Sequence, residues 1–321
     1  MKKLLFLLVL FFCATVGFAD EPTHLLVSGA NVRIRSEGNT GAKVVATLPI
    51  GTWAEILEVG TQKQSLVGKD DFWYKIRDEN SNEGWIFGGL TEKCLAEQRF
   101  SAAASLAMSR LGQFGRPIEE AEQLYNFCQK LCKLAANPDD QAYSKLAELQ
   151  SLQLILNTLS AMGKGSDDSH PVLKSRKDLI YYHECAGQYF ISPKIFWDLA
   201  KLYPGSEVGD LISWEAAKQQ LPGETEGDPT ALLTVLSLSE AEYLKGYPSG
   251  RFVENAVETI RVSMESMPNS LINYFEGEAE SGRQPFLEQL GELEAIIKSC
   301  NSNNRLKTLD LIEQVKKAAA N

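Results

Sequence analysis

The 321-residue chain contains three histidines, His24, His170 and His183, so chemistry needing two or three imidazoles at one centre has little to work with. Cysteine and histidine come closest at His183-Glu184-Cys185-Ala186-Gly187, a candidate nucleophile beside a candidate base. Read as part of a helix, His183 and Cys185 lie about 200° apart around the axis and face away from each other. An HExxH zinc helix would need its second histidine where Gly187 stands. A phosphate loop ending at Gly163-Lys164 would need a glycine where Thr158 stands, and Gly246-Tyr247-Pro248-Ser249-Gly250 is one residue out of register for a serine nucleophile elbow. The acidic loop 223–228 has neither the alternating oxygen ligands nor the closing glutamate of a calcium loop. Among 42 Asp+Glu, nothing marks out two carboxylates that would flank a glycosidic bond. These residues predict a protein that is not an enzyme, with no catalytic residues, no metal and no cofactor.

The composition narrows the classes further. A formal net charge of -10 argues against nucleic acid, whose phosphates call for a clustered Lys/Arg face. The first residues read as a signal peptide, 1–19. Lys2-Lys3 form a positive start, residues 4–12 are uninterruptedly apolar, and Gly17-Phe18-Ala19 supplies the small residues of a cleavage site after Ala19. The 16 residues of 4–19 fall short of the ~20 that span a bilayer, and Leu10-Phe11-Phe12 are too bulky to precede an acylated Cys13. The expectation is a periplasmic or secreted protein with no membrane span after signal removal. Losing Lys2 and Lys3 takes the charge from -10 to -12. Cys94, Cys128, Cys132, Cys185 and Cys300 would remain, an odd number that leaves at least one thiol unpaired or shared between molecules. Cys128 and Cys132, four apart on one helix face, read as buried small hydrophobes.

Residues 24–95 read as a small β-domain. Short β-branched and aromatic runs at 24–27, 31–35, 43–48, 53–59, 72–77 and 85–87 alternate with Gly, Asn, Ser and Asp turns, the spacing of a compact barrel or sandwich. Asn31-Val32-Arg33-Ile34-Arg35-Ser36, the polar loop 37–40, Val44-Val45-Ala46-Thr47-Leu48, Gly51-Thr52 before Ala54-Glu55-Ile56-Leu57, Trp73-Tyr74-Lys75-Ile76 and Gly84-Trp85-Ile86 resemble, in order and spacing, a bacterial SH3-type domain. The stretch 60–71 is longer and more charged than the family carries there. The resemblance implies a small SH3-like β-barrel, and a binding module for peptidoglycan or a peptide ligand. Trp73, Trp85 and Phe87 are the aromatic candidates for a contact surface, with Arg33 and Arg35 as carboxylate partners. The competing reading is that the aromatics fill a core that needs every large side chain.

From residue 96 the apolar period lengthens to that of helices, giving an all-helical domain over 96–321. Stripes at Phe100, Ala103, Ala107, Leu111 and Phe114, at Ile118 to Leu134, and at Ala142 to Met162 lead into a loop at 163–171 and a helical pattern at 172–190. Further helices are read near 193–203, 206–220, 230–246, 251–266, 269–281, 285–299 and 304–319. One internal repeat stands out: Lys201-Leu202-Tyr203-Pro204-Gly205-Ser206 recurs as Lys245-Gly246-Tyr247-Pro248-Ser249-Gly250. Over 193–266 it resembles the turns of tetratricopeptide-like repeats, with an irregular bundle as the alternative; two copies do not establish a period. The whole chain is thus read as α+β and multidomain. The expected function is an exported, non-catalytic cell-envelope binding or scaffold protein, with a protein partner for its helical domain. The alternative is a cell-wall hydrolase with an unrecognised helical catalytic domain.

Overall fold

The computed structural model describes residues 21–113 and 115–320. The expected signal peptide 1–19, Cys13 and the stripe residue Phe114 lie outside the described residues. The chain divides into two compact units between Ala102 and Ala103, and each is described by itself.

The first unit holds β1 (His24–Val27), β2 (Val32–Arg35), β3 (Val44–Leu48), β4 (Trp53–Val59), β5 (Gln64–Leu66), β6 (Lys69–Asp71), β7 (Trp73–Asp78), β8 (Glu83–Phe87) and β9 (Thr91–Cys94). Seven of these form an antiparallel sheet in the order β3-β2-β8-β7-β4-β1-β9, and β5 pairs with β6 as a separate hairpin. The two-residue period of the strands sorts the faces. Val32 and Ile34 are buried beside exposed Arg33, and Tyr74 and Ile76 are buried on either side of Lys75. Leu25, Val27, Val32, Ile34, Leu48, Ala54, Tyr74, Ile76 and Ile86 make one core. The polar turn before β8 is organised by Asp78. Its carboxylate accepts from the N–H groups of Asn80 (2.9 Å) and Asn82 (2.8 Å) and from the Asn82 amide (2.8 Å), which satisfies an aspartate that is buried. The unit runs past the expected boundary at 95 because Arg99 pairs with Glu79 and lies 5.4 Å over the Trp53 ring.

The division falls within α1 (Arg99–Leu111); in the second unit α2 (Ile118–Leu134) and α3 (Pro138–Ala161) pack together. Asn137 caps α3 by accepting from the Asp140 N–H at 2.9 Å. The expectation of helix alone then fails. After α4 (Pro171–Ser175), the segment read as helical forms a hairpin of β10 (Ile180–His183) and β11 (Gln188–Ile191). Gly187, at φ 62, closes the four-residue turn in a conformation that a helix interior does not hold. Cross-strand aromatic pairs, Tyr182 with Tyr189 and Tyr181 with Phe190, contribute what the short strands lack in length.

The remaining helices are α5 (Pro193–Ala200), α6 (Glu207–Ala217), α7 (Pro229–Leu238), α8 (Glu240–Gly246), α9 (Val253–Ser270), α10 (Arg283–Ser299) and α11 (Arg305–Ala320). Two of them depart from expectation. The single helix read at 230–246 breaks at Ser239, whose backbone is not helical and whose hydroxyl proton is shared between the Val235 carbonyl at 2.6 Å and the Glu240 carboxylate. The helix read at 269–281 is not one continuous α-helix, and only a 3-10 turn forms at Gly277–Gly282. Instead α9 runs through Pro268 to Ser270, and Asn273, at φ 60, lies in the turns that follow.

The Tyr-Pro repeat has a structural counterpart. One copy joins α5 to α6 and the other joins α8 to α9. The Tyr247 hydroxyl stands in the first turn, accepting from the Gly205 N–H at 3.2 Å and donating to the Tyr203 carbonyl at 3.4 Å. Asp210 reaches from α6 to the second turn, accepting from the Tyr243 hydroxyl (2.6 Å) and the Arg251 N–H (2.8 Å). Glu254, placed 44 residues after Asp210, does the same for the turn between α10 and α11, accepting from the Ser302 hydroxyl (2.9 Å) and the Asn303 N–H (2.7 Å). Asn301 N–H also donates to the Pro248 carbonyl at 2.9 Å. Three helix pairs are therefore locked turn to turn, with α6 on α8, α8 on α10 and α9 on α11. The third turn has no Tyr-Pro, so the sequence displays only two copies.

Candidate functional site

The outward face of the first unit's sheet brings together Arg33, Arg35 and Lys75. Strand register lines up Val44, Arg35, Trp85, Lys75 and Glu58 across β3, β2, β8, β7 and β4. Val44 and Arg33 are exposed, and Arg35, Trp85 and Lys75 are half-buried. Arg35 donates to the Ala42 carbonyl at 2.7 Å, so its guanidinium holds the β2–β3 loop while staying at the surface. Close approach of β8 to β2 depends on Gly84, where a Cβ would lie 2.7 Å from the Arg35 carbonyl oxygen. Arg77, one row further along, is already neutralised by Glu83 at 2.7 Å and Glu55 at 3.4 Å, and the bond to Glu83 raises its pKa. Arg33, Arg35 and Lys75 form no ion pair with a described residue. The result is a half-exposed indole flanked by cations that no ion pair with a described residue engages, suited to a carboxylate next to an apolar group.

Of the five candidate residues, Arg33, Arg35 and Trp85 come together on this face. Trp73 and Phe87 do not. They are 4% and 1% exposed, with rings 5.8 Å apart, and belong to the packed interior and not to a contact surface. The cover comes from two segments. A Cβ on Gly38, in the β2–β3 loop, would lie 3.1 Å from the Trp73 Cβ and 3.4 Å from the Trp85 ring. The long stretch 60–71 supplies the β5–β6 hairpin, where Gln64 accepts from the Trp73 indole N–H at 2.8 Å and donates to the Gly38 carbonyl at 3.2 Å. Lys75 is the residue that reading the sequence missed. Its alternation with Tyr74 and Ile76 shows that it points outward, but only the register places it beside Trp85.

The Cys–His pairing has a different geometry from the helical one expected. Cys185 is exposed in the β10–β11 turn and His183 ends β10. The His183 Nδ1 accepts from the Ala186 N–H at 3.2 Å, and Nε2 lies 3.1 Å from the Gly223 carbonyl. With Nδ1 accepting, Nε2 is the ring nitrogen placed to donate to the Gly223 carbonyl. His170 pairs with Glu122 at 3.3 Å. All five described cysteines are free thiols. Among the described residues, no group of three or more His, Cys, Asp or Glu is arranged to hold a metal, and no helix is long and apolar enough to cross a membrane.

Residues 28–92 match the family model of the bacterial SH3 domain, a span that takes in β2 to β8 and the cationic face they carry. No curated protein and no solved structure matches the chain.

Proposed function

We propose that this is an exported envelope protein that binds without catalysing. Its SH3-type unit takes peptidoglycan or a peptide through a carboxylate, and its helical unit receives a protein partner. The observation that carries the reading is the set Arg33, Arg35 and Lys75, none in an ion pair with a described residue, around the half-exposed Trp85 on a sheet matching the bacterial SH3 family. Peptidoglycan stem peptides offer such carboxylates, and a charge-assisted bond to arginine is stronger than a neutral one. Export is supported by the signal-like pattern of residues 1–19 and by the common occurrence of such domains on envelope proteins. The tetratricopeptide-like reading of the helical unit is supported by its three interlocked helix pairs, an arrangement that leaves concave surfaces for partners. The non-catalytic reading is supported by His183, whose two ring nitrogens are both engaged.

The test is co-sedimentation of residues 20–321 with purified peptidoglycan at low salt. Retention is expected, with loss when Arg33, Arg35 and Lys75 are changed together to alanine. Folded protein that stays in the supernatant removes the wall-binding half of the reading. Incubation with labelled sacculi is expected to release no soluble fragments; release would replace the reading with a hydrolase.

A further inference from the structure

The second unit contains an open groove of ≈ 860 Å³ between the end of α6 with the loop after it (217–226), α7 and the outer side of α9 at Thr259 and Ser263. Its apolar wall is a helical stripe, Ala231, Val235 and Leu238, and Leu238 is 54% exposed. Among the described residues its ionisable lining is one-sided: Glu224, Glu226 and Glu240 face it together with His183, and no lysine or arginine does. None of the three glutamates forms an ion pair with a described residue. Glu240 is placed there by the break at Ser239, which starts α8 at the groove floor. Its carboxylate is half-buried and accepts from the Ser239 hydroxyl, and burial raises its pKa.

We propose that this groove binds a basic amphipathic peptide segment of a partner protein, seating a lysine or arginine side chain on the Glu240 carboxylate and apolar side chains along Ala231, Val235 and Leu238. The proposal deepens the reading of the helical unit as a partner-binding body and rests on it. A carboxylate removed from water without a counter-ion gains from any cation the ligand brings, because desolvation has already been met in the fold. The two further glutamates at the rim repel acidic competitors and favour the encounter with a basic one. An anionic segment would bring like charges together in a partly dry groove, which is why charge complementarity selects the occupant.

The experiment uses residues 20–321 at about 0.15 M salt, where exposed charges are screened beyond ~8 Å. The probe is a fluorescein-labelled peptide with leucine and lysine at helical spacing, read by fluorescence anisotropy against a counterpart with glutamate for lysine. The lysine peptide is expected to bind and the glutamate peptide not to. Glu240→Gln, which keeps an acceptor for Ser239, is expected to weaken binding ~10-fold. Val235→Arg, which puts a cation in the wall, is expected to abolish it, and Leu306→Ala, at an exposed residue of α11 outside the groove, to leave it unchanged. Far-UV circular dichroism verifies that each variant is folded. No binding by the wild type, or equal binding by Glu240→Gln, overturns the proposal. Envelope capture with wild type and Glu240→Gln separates the two levels. A partner recovered equally by both leaves the helical unit a binding body and removes the groove as the site.

Discussion

Gly209 is the position where the interlocking of the helix pairs is most exposed to a single methyl group. It lies in the first turn of α6, its N–H bonded at 3.0 Å to the capping hydroxyl of Ser206. A Cβ there would lie 1.9 Å from the Tyr203 carbonyl oxygen and 2.4 Å from the Tyr247 hydroxyl. Real Cβ atoms essentially never come closer than 3.0 Å to such a neighbour, so the carbonyl and the hydroxyl must both withdraw. That movement breaks the bonds from Tyr247 to the first turn, each worth about 1 kcal/mol, on top of an overpacking cost of about 1–3 kcal/mol. Alanine's better helix propensity offsets at most ~1 kcal/mol. Gly209→Ala should therefore destabilise the helical unit by about 3 kcal/mol. Gly291→Ala is the control: it lies within α10 with nothing within 4 Å of the added Cβ, and should stabilise by ~0.5–1 kcal/mol. Urea unfolding followed by helical circular dichroism measures both. A Gly209→Ala variant within ~0.5 kcal/mol of wild type would refute the tight approach and, with it, the turn-to-turn lock.

Three further outcomes are expected. Trp73→Ala should cost the β-unit about 3–5 kcal/mol in urea unfolding, as a large buried side chain does, whereas Trp85→Ala should cost about 1–2 kcal/mol and act chiefly on wall binding; equal costs would contradict the assignment of one to the interior and the other to the face. Cys185, exposed in its turn, should react with a thiol reagent in the native protein. Cys128, fully buried with its thiol pushed up to about 12 by burial, should react only on unfolding, and prompt native labelling of Cys128 would disprove its environment. Glu294 links α10 to α11 by accepting from Lys316 and also accepts from Lys298 of its own helix, each at 2.6 Å, and these bonds pull its pKa down from 4.5 to about 2. A depressed carboxyl pKa stabilises the fold above pH 4.5 and loses that contribution as pH falls toward 2. For a pair partly open to water the effect is about 1 kcal/mol. The urea midpoint gap between wild type and Glu294→Gln should then shrink from pH 7 to pH 3, and a gap unchanged with pH would count against the link.

Six of the β-unit's nine strands are legible in the sequence because alternation is a property of one short segment; β5, β6 and β9 are too short and polar to show it. Val32 and Ile34 against Arg33, or Tyr74 and Ile76 against Lys75, sort themselves without knowing their neighbours. The hairpin at 180–191 was misread for a related reason. Its aromatic and aliphatic residues fit a helical stripe and a pair of short strands equally well, and the decisive Gly187 conformation is realised only when Tyr182 meets Tyr189 across the turn. The helix break at Ser239 is equally silent in the local pattern, since residues on both sides favour helix.

By itself, the sequence determined an acidic α+β chain with a bacterial SH3-type segment, helices beyond it, a Tyr-Pro repeat and no recognisable catalytic motif. The tertiary structure decided which aromatics are available. Trp73 points to the same side of its strand as Lys75, yet the Gly38 loop and the Gln64 hairpin lie over it. It also decided that Arg35, Trp85 and Lys75 are neighbours, and that Glu240 faces a groove without a cation. The physical reason is common to all three. Periodicity within a segment assigns a side chain to a face, whereas burial and pairing depend on which distant segment folds over that face.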